Sequence, residues 1–194
     1  MSTARTLCLK PISGVILVML LVVGLSMVMS LPSPDHAASV VAVPDCVETQ
    51  LAVTGVGAAG GSLHAGVVIH YRNVSPTACS LTGYSNVVGL NFESGKSRVA
   101  RRIVNGYLGG WTAYKKGKSE PLPLAILRAR GGEASSMVEW ADGGTDQQPG
   151  CSVLSSLWVN MAGGRRPFAL KELMLVCGYF DVTPIVPGAT GSAQ

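Results

Sequence analysis

Cys79-Ser-Leu-Thr-Gly-Tyr84 is the stretch on which the fold turns. It follows an alternating strand, carries one half of a disulfide and opens the next strand. In the strand before it, Ala65, Val67, Ile69 and Tyr71 fall on one face, and His64, Gly66, Val68 and His70 on the other. That period of two is the pattern of a half-buried strand. The strand after it is Tyr84 to Phe92, YSNVVGLNF.

Working outward, the same grammar repeats. Val47 to Thr54 alternates and reads as a first strand, and Gly55 to Ser62, with four glycines, reads as a loop. Asn73-Val-Ser-Pro76 is a turn, and Glu93-Ser-Gly-Lys96 a hairpin-like turn leading into a strand from Arg98 to Val104. Leu122 to Leu127 and Ala134 to Trp140 flank Arg128-Ala-Arg-Gly-Gly132 and suggest another hairpin. Gly143 to Gly150 is a polar loop, Ser152 to Val159 and Leu170 to Phe180 are the last strands, and Thr183-Pro184 onward reads as a frayed tail. About eight short strands between Gly-rich turns, with no amphipathic helix, predict an all-β antiparallel sandwich.

The chain has 194 residues, five cysteines, 24 glycines and 13% charged residues. This length suits one domain plus a targeting segment. Arg5 and Lys10 precede an uncharged run of 17 residues, Val15 to Leu31, which Pro32 stops. A basic start, an apolar run and a Pro-rich exit read as a signal peptide or membrane anchor over residues 1–31. Residues 32–45 (LPSPDHAASVVAVPD from Leu31) read as a linker, 46–187 as the sandwich and 188–194 as a flexible tail. With the basic end inside, the remainder lies in the cell envelope or the medium.

Cys8 stays on the basic side of the apolar run. Cys46, Cys79, Cys151 and Cys177 form an even set with three possible connectivities. Their separations, 33 and 26 residues, make sequential pairing the natural one. No Cys-x-x-Cys pair occurs and no His lies near them, so neither zinc nor another metal is expected.

Catalytic signals are missing. His36 is in the linker, and His64 and His70 sit six residues apart, about 20 Å along a strand, so they read as exposed strand histidines. Glu133 and Glu139 read as solvated. Ser135-Ser136 and Ser155-Ser156 lack a nucleophile-elbow context. Gly106-Tyr-Leu-Gly-Gly110 is not a phosphate loop, since no Lys-Ser/Thr follows. No catalytic residue and no cofactor are assigned.

One stretch is unusual. Lys96 to Lys118 carries seven cations and no acid, +7, while the rest from Asp35 onward carries −5. Tyr107, Trp111 and Tyr114 are interleaved among its glycines. Arg98, Arg101, Arg102, Trp111, Tyr114, Lys115 and Lys116 are the expected contact surface for an anionic envelope polymer, a lipid head group or an envelope protein, with rings stacking on sugars. The net +2 from Asp35 onward is too mild to indicate nucleic acid.

The order of these features resembles a known family. Cys46, a Gly-rich loop, a strand ending in Tyr-Arg-Asn73 and Cys-Ser-Leu-Thr-Gly-Tyr84 are followed by Leu-Arg-Ala-Arg-Gly-Gly-Glu-Ala134, a strand ending in Trp140, Cys151 and Cys177. This is similar to the exported actinobacterial family catalogued as domain of unknown function 4232, over roughly residues 46–187. One departure is Ala129-Arg130-Gly131, where the family tends to have Pro-Gly. The resemblance implies an immunoglobulin-like β-sandwich in secreted or membrane-attached envelope proteins, and no known activity.

The expected function is therefore a non-enzymatic envelope binding or interaction domain. The alternatives are an envelope hydrolase acting on sugars or esters, which would need a cleft with a convergent acid/base pair, and a structural subunit of a membrane complex held by residues 15–31.

Overall fold

The computed structural model describes residues 42–60, 63–112, 121–143, 149–161 and 164–193. The signal or anchor segment lies outside the described residues, as do Tyr114, Lys115 and Lys116. Among the described residues no helix is long and apolar enough to cross a membrane.

The chain is all-β. After a 3₁₀ turn at Glu48–Gln50 come β1 (Leu51–Ala59), β2 (His64–Asn73), β3 (Cys79–Thr82), β4 (Asn86–Leu90), β5 (Ser97–Val99) and β6 (Arg101–Arg102). They are followed by β7 (Gly110–Trp111), β8 (Leu124–Leu127), β9 (Glu133–Ala141) and β10 (Cys151–Asn160). The last are β11 (Phe168–Val182), β12 (Val186–Pro187) and β13 (Ser192–Ala193). The main sheet runs β1-β2-β9-β11-β10-β4-β5, with β12 beside β9 and β6 beside β11. Two small sheets, β3-β8 and β13-β7, complete the fold.

β11 organises this arrangement. Its first part pairs with β10 from Phe168 to Cys177, and its last part pairs with β9 from Cys177 to Val182. Where β10 begins, at Cys151, it leaves the side of β11, and β6 runs parallel beside Asp181 and Val182 in its place. Between Cys177 and Phe180 two extra residues bulge from the β9 ladder, with Gly178 at φ 79°. A left-handed residue suits glycine, and a bulge re-aims the neighbouring side chain. That neighbour is Tyr179.

One hydrophobic core takes Val67, Ile69, Val138 and Trp140 from β2 and β9, and Val87, Leu154, Leu157 and Val159 from β4 and β10. Cys79, Leu81, Ala125 and Leu127 enter it from the β3-β8 sheet. The layers thus face one another around a single interior, a sandwich-like arrangement. The face that the alternation of β2 assigned to the core, Val67, Ile69 and Tyr71, is buried. The Tyr71 hydroxyl is buried too and is shared with Ser85 (2.7 Å) and Ser136 (3.0 Å), as a buried polar group requires.

Two disulfides staple the fold, Cys46–Cys79 and Cys151–Cys177. The first fastens the chain before β1 to β3, and the second joins β10 to β11 at a register pair. Structural disulfides are characteristic of oxidising compartments.

Four local expectations are corrected. The glycines of 55–59 are strand, because β1 continues to Ala59 opposite Ala65. The Arg98–Val104 strand breaks at Ala100, whose N–H still donates to Val87 while the next residues move to β11. Leu124–Leu127 and Glu133–Ala141 do not form a hairpin: β8 pairs with β3, and β9 lies in the other sheet. The turn between them has Arg130 at φ 54° and Gly131 at φ 137° and is held by N–H bonds to Ser75 and Asn73.

The fourth correction concerns both borders of the domain. Residues 183–193 are not frayed. Ile185 and Val186 are buried, β12 pairs with β9 and β13 pairs with β7. At the other border the linker already joins the fold at Asp45, which bridges to Ser80, and the Ser80 N–H donates to Pro44.

Replacing Cys46 and Cys79 together by Ala should lower unfolding free energy by about 3–4 kcal/mol, the chain-entropy value for loops of this length. Chemical denaturation of the variant beside the oxidised wild type measures it, and an unchanged midpoint would show that this staple is idle.

Candidate functional site

The outer face of β2, β9 and β11 holds the polar residues that the alternation excludes from the core. Register places Gly66, Glu139, Asp181 and Arg101 in one row across β2, β9, β11 and β6. His64 on β2 and the bulged Tyr179 flank this row. Glu139 and Asp181 are thus directly opposite each other, and both are buried, at 2% and 4% exposure. Two carboxylates facing across adjacent strands repel unless each has its own donors.

Each has them. Glu139 accepts backbone N–H bonds from Tyr107 (2.9 Å) and Leu108 (2.8 Å). The Gly106-Tyr-Leu-Gly-Gly110 segment is therefore an anion-binding loop after all, and its anion is the protein's own carboxylate. Gly106 makes the approach possible, since a Cβ there would stand 2.4 Å from the Glu139 carboxyl carbon. Leu108 settles over Gly66 of β2, where a Cβ would meet it at 2.7 Å. Asp181 accepts two bonds from Arg101, Nε and Nη2 both at 2.9 Å. That hydrogen bonding, together with the carboxylate's charge, raises the Arg101 pKa.

The segment from Ile103 to Thr112 is thus docked over the sheet. The Ile103 N–H donates to Val182, Trp111 to Val104 and Thr112 to Ala193 of the C-terminal segment. What it leaves outward is Tyr107, 62% exposed, its ring stacked on His64 at 3.8 Å between centroids and 17° between planes. His64 Nδ1 shares a hydrogen bond with the Tyr179 hydroxyl at 2.5 Å. Tyr107, Tyr179, His64, Asn105, Arg101 and the two carboxylates border an open recess of about 350 Å³.

Two readings of single residues change here. Glu139 is a buried clamp rather than a solvated side chain, and His64 is a half-buried stacking partner rather than an exposed strand histidine. A cleft lined by titratable groups exists, although no acid pair stood out in the sequence.

The expected contact residues are distributed around this face. Arg98 donates to the carbonyls of Gly178 and Val176, and with Arg101 borders a neighbouring recess at the bulge. Arg102, next to Arg101 on a strand, faces the other way, donating to Asn86 with its guanidinium 5.8 Å from the Tyr84 ring centroid. Trp111 is half-buried within β7. Arg98, Arg101 and Arg102 are therefore tied to their own chain, and Lys96 is exposed.

Sequence reasoning missed Glu139, Asp181, His64 and Tyr179 as a group. The available signal was a carboxylate inside each of two apolar strands, Glu139 within Ala134–Trp140 and Asp181 at the end of Leu170–Asp181.

Fold and site together define a disulfide-stapled all-β domain with one sheet face capped by a Gly-rich segment and by the C-terminus. No protein-family model, no curated protein and no solved structure matches the chain.

Removing the clamp should free the cap. Glu139→Gln places an amide donor against one loop N–H, and Gly106→Ala drives a methyl group into the carboxylate. Each should cost about 1–3 kcal/mol and speed hydrogen exchange at the Tyr107 and Leu108 amides. Unchanged exchange in both variants would refute the clamp.

Burial, then the charges of Glu139, Asp181 and Asp142 and the nearby Tyr107, push Tyr179 up from 10.0 to about 12. Its phenol stays protonated at neutral pH, and the folded state resists losing that proton. The Tyr179 contribution to stability should be complete below pH 10 and decline as pH rises towards 12. Tyr179→Phe should flatten that decline in denaturation midpoints taken across this range, beside the separate contribution of buried Tyr71, which is also raised by burial.

Proposed function

We propose that the chain is an exported, non-enzymatic binding domain of the cell envelope, an immunoglobulin-like sandwich whose contact surface is the capped outer face. The observation that carries this is the clamp. Two hydrogen bonds to a buried carboxylate hold a Gly-rich segment still, so that Tyr107 and Arg101, 62% and 71% exposed, form a pre-set surface. Pre-organised side chains lose less entropy on binding. The two disulfides and the basic start before an apolar run support export. The Lys96–Lys118 charge supports an anionic envelope component or protein as the partner. Membership in the actinobacterial exported family is part of the same proposal, on the cysteine order and the Cys-x-Leu-x-Gly-Tyr stretch.

A second reading, an envelope hydrolase, has one observation in its favour: Glu139 and Asp181 face each other in a recess beside His64 and Tyr179. Against it, both carboxylates are already engaged by the chain's own donors.

Charge reversal tests the first reading best at Arg98, which borders the recess at the bulge, because Arg101→Glu would also set a negative charge against Asp181. Retention of the Arg98→Glu chain on isolated envelope should fall by about 1 kcal/mol, ~fivefold, and become less salt-sensitive. Equal retention of variant and wild type would defeat it. In the same preparation, release of sugar or acid by the wild type and none by Asp181→Asn would put the hydrolase first.

A further inference from the structure

The recess under Tyr107 differs in character from the basic stretch that leads to it. Its border contains one cation, Arg101, and two carboxylates, Glu139 and Asp181, so it is not a polyanion site. What it offers is a flat ring and a rim of short-range polar groups. We propose that this recess is a saccharide subsite that takes an uncharged pyranose, the ring of the sugar lying on Tyr107. The inference rests on the reading that the capped face is the contact surface, and it names the chemistry at the centre of that face.

Three features support it. First, the ring is fixed. His64 covers one face of Tyr107 at 3.8 Å, so the ring's exposure comes from its other face and its edge. The Tyr107 N–H is held by Glu139, and His64 is held in turn by Tyr179. The apolar C–H face of a pyranose needs such a flat, supported, amphipathic surface.

Second, the rim matches vicinal hydroxyls. A sugar hydroxyl both donates and accepts, so it needs donors beside acceptors. Asp181 takes two of the five N–H groups of Arg101, which leaves three directed to other partners. Those donors stand beside the Asp181 carboxylate, the Asn105 amide and the Tyr179 hydroxyl on the same recess. Tyr179, held at a pKa of about 12, is a neutral phenol there.

Third, size and shape suit one ring of a polymer. The recess is about 350 Å³, open and at the surface, at the small end of ligand sites. An open recess leaves room for the rest of a chain beyond the one ring, and Arg98 at the neighbouring recess can meet a charged group elsewhere on an envelope polymer.

The test uses the detergent-solubilised full-length chain and immobilised, uncharged oligosaccharides of glucose, mannose and galactose. A galacturonate oligomer of equal length serves as the acidic comparison. At least one neutral oligosaccharide should bind, and more tightly than the galacturonate. Tyr107→Ala should weaken that binding about tenfold, while Tyr107→Trp should keep it. Near-ultraviolet circular dichroism checks that both variants are folded. No neutral oligosaccharide bound, tighter binding of galacturonate, or binding indifferent to Tyr107→Ala would each overturn the proposal. Envelope retention is read separately: if it persists through Tyr107→Ala and still falls with Arg98→Glu, the surface stands and the sugar does not.

Discussion

The fold depends on one strand having two sets of partners. β11 spends its first part in a ladder with β10 and its last part between β9 and β6. Among the described strands β11 is the link between β1-β2-β9 and β10-β4-β5. The Cys151–Cys177 bond sits where the change occurs, at the first register pair of β10. A 26-residue loop closed there removes freedom from the unfolded chain by about 3–4 kcal/mol in the chain-entropy account. The same change of partner creates the bulge at Gly178-Tyr179. Core packing and the outer site therefore share one origin, since Phe180 and Val182 point into the interior while Tyr179 and Asp181 point out.

On the outer face the governing quantity is charge in a confined place. Two carboxylates at roughly 6 Å would repel by about 3 kcal/mol at an effective dielectric of 20. The chain answers each differently. A guanidinium meets Asp181, in a pair whose Arg101 side is open to water and therefore screened. Backbone amides meet Glu139, and amides cannot move without moving the loop. The second answer is what converts a Gly-rich connection into a cap, with Leu108 seated over Gly66 and the C-terminal β13 along β7.

Much of this was legible from local pattern. Alternation in His64–Tyr71 sorted Val67, Ile69 and Tyr71, all buried, onto one face, because a residue's side on a strand is a matter of parity. Cysteine count and spacing pointed to the two staples. Elsewhere local pattern misled. Gly55 and Gly57 suggested a loop, yet β2 supplies a partner for every residue from Leu51 to Ala59, and ladder pairing outweighs the poor strand propensity of glycine. Arg128–Gly132 looked like a hairpin turn, yet the strands it joins belong to different sheets. Thr183 onward looked frayed because its pairing partners, β9 and β7, lie far away in the sequence.

The sequence by itself determined the class of the protein: strands set by parity and staples set by cysteine count. These are properties of neighbours along the chain, where spacing alone decides the outcome. Only the tertiary structure decided what the unusual residues do. Glu139 and Asp181 are 42 residues apart and become opposite only through the β9–β11 register. His64 meets Tyr107 and Tyr179 only because a loop and a bulge from two other parts of the chain arrive above β2. A carboxylate reads as solvated until a distant backbone brings it N–H groups, and that pairing is a property of the folded surface.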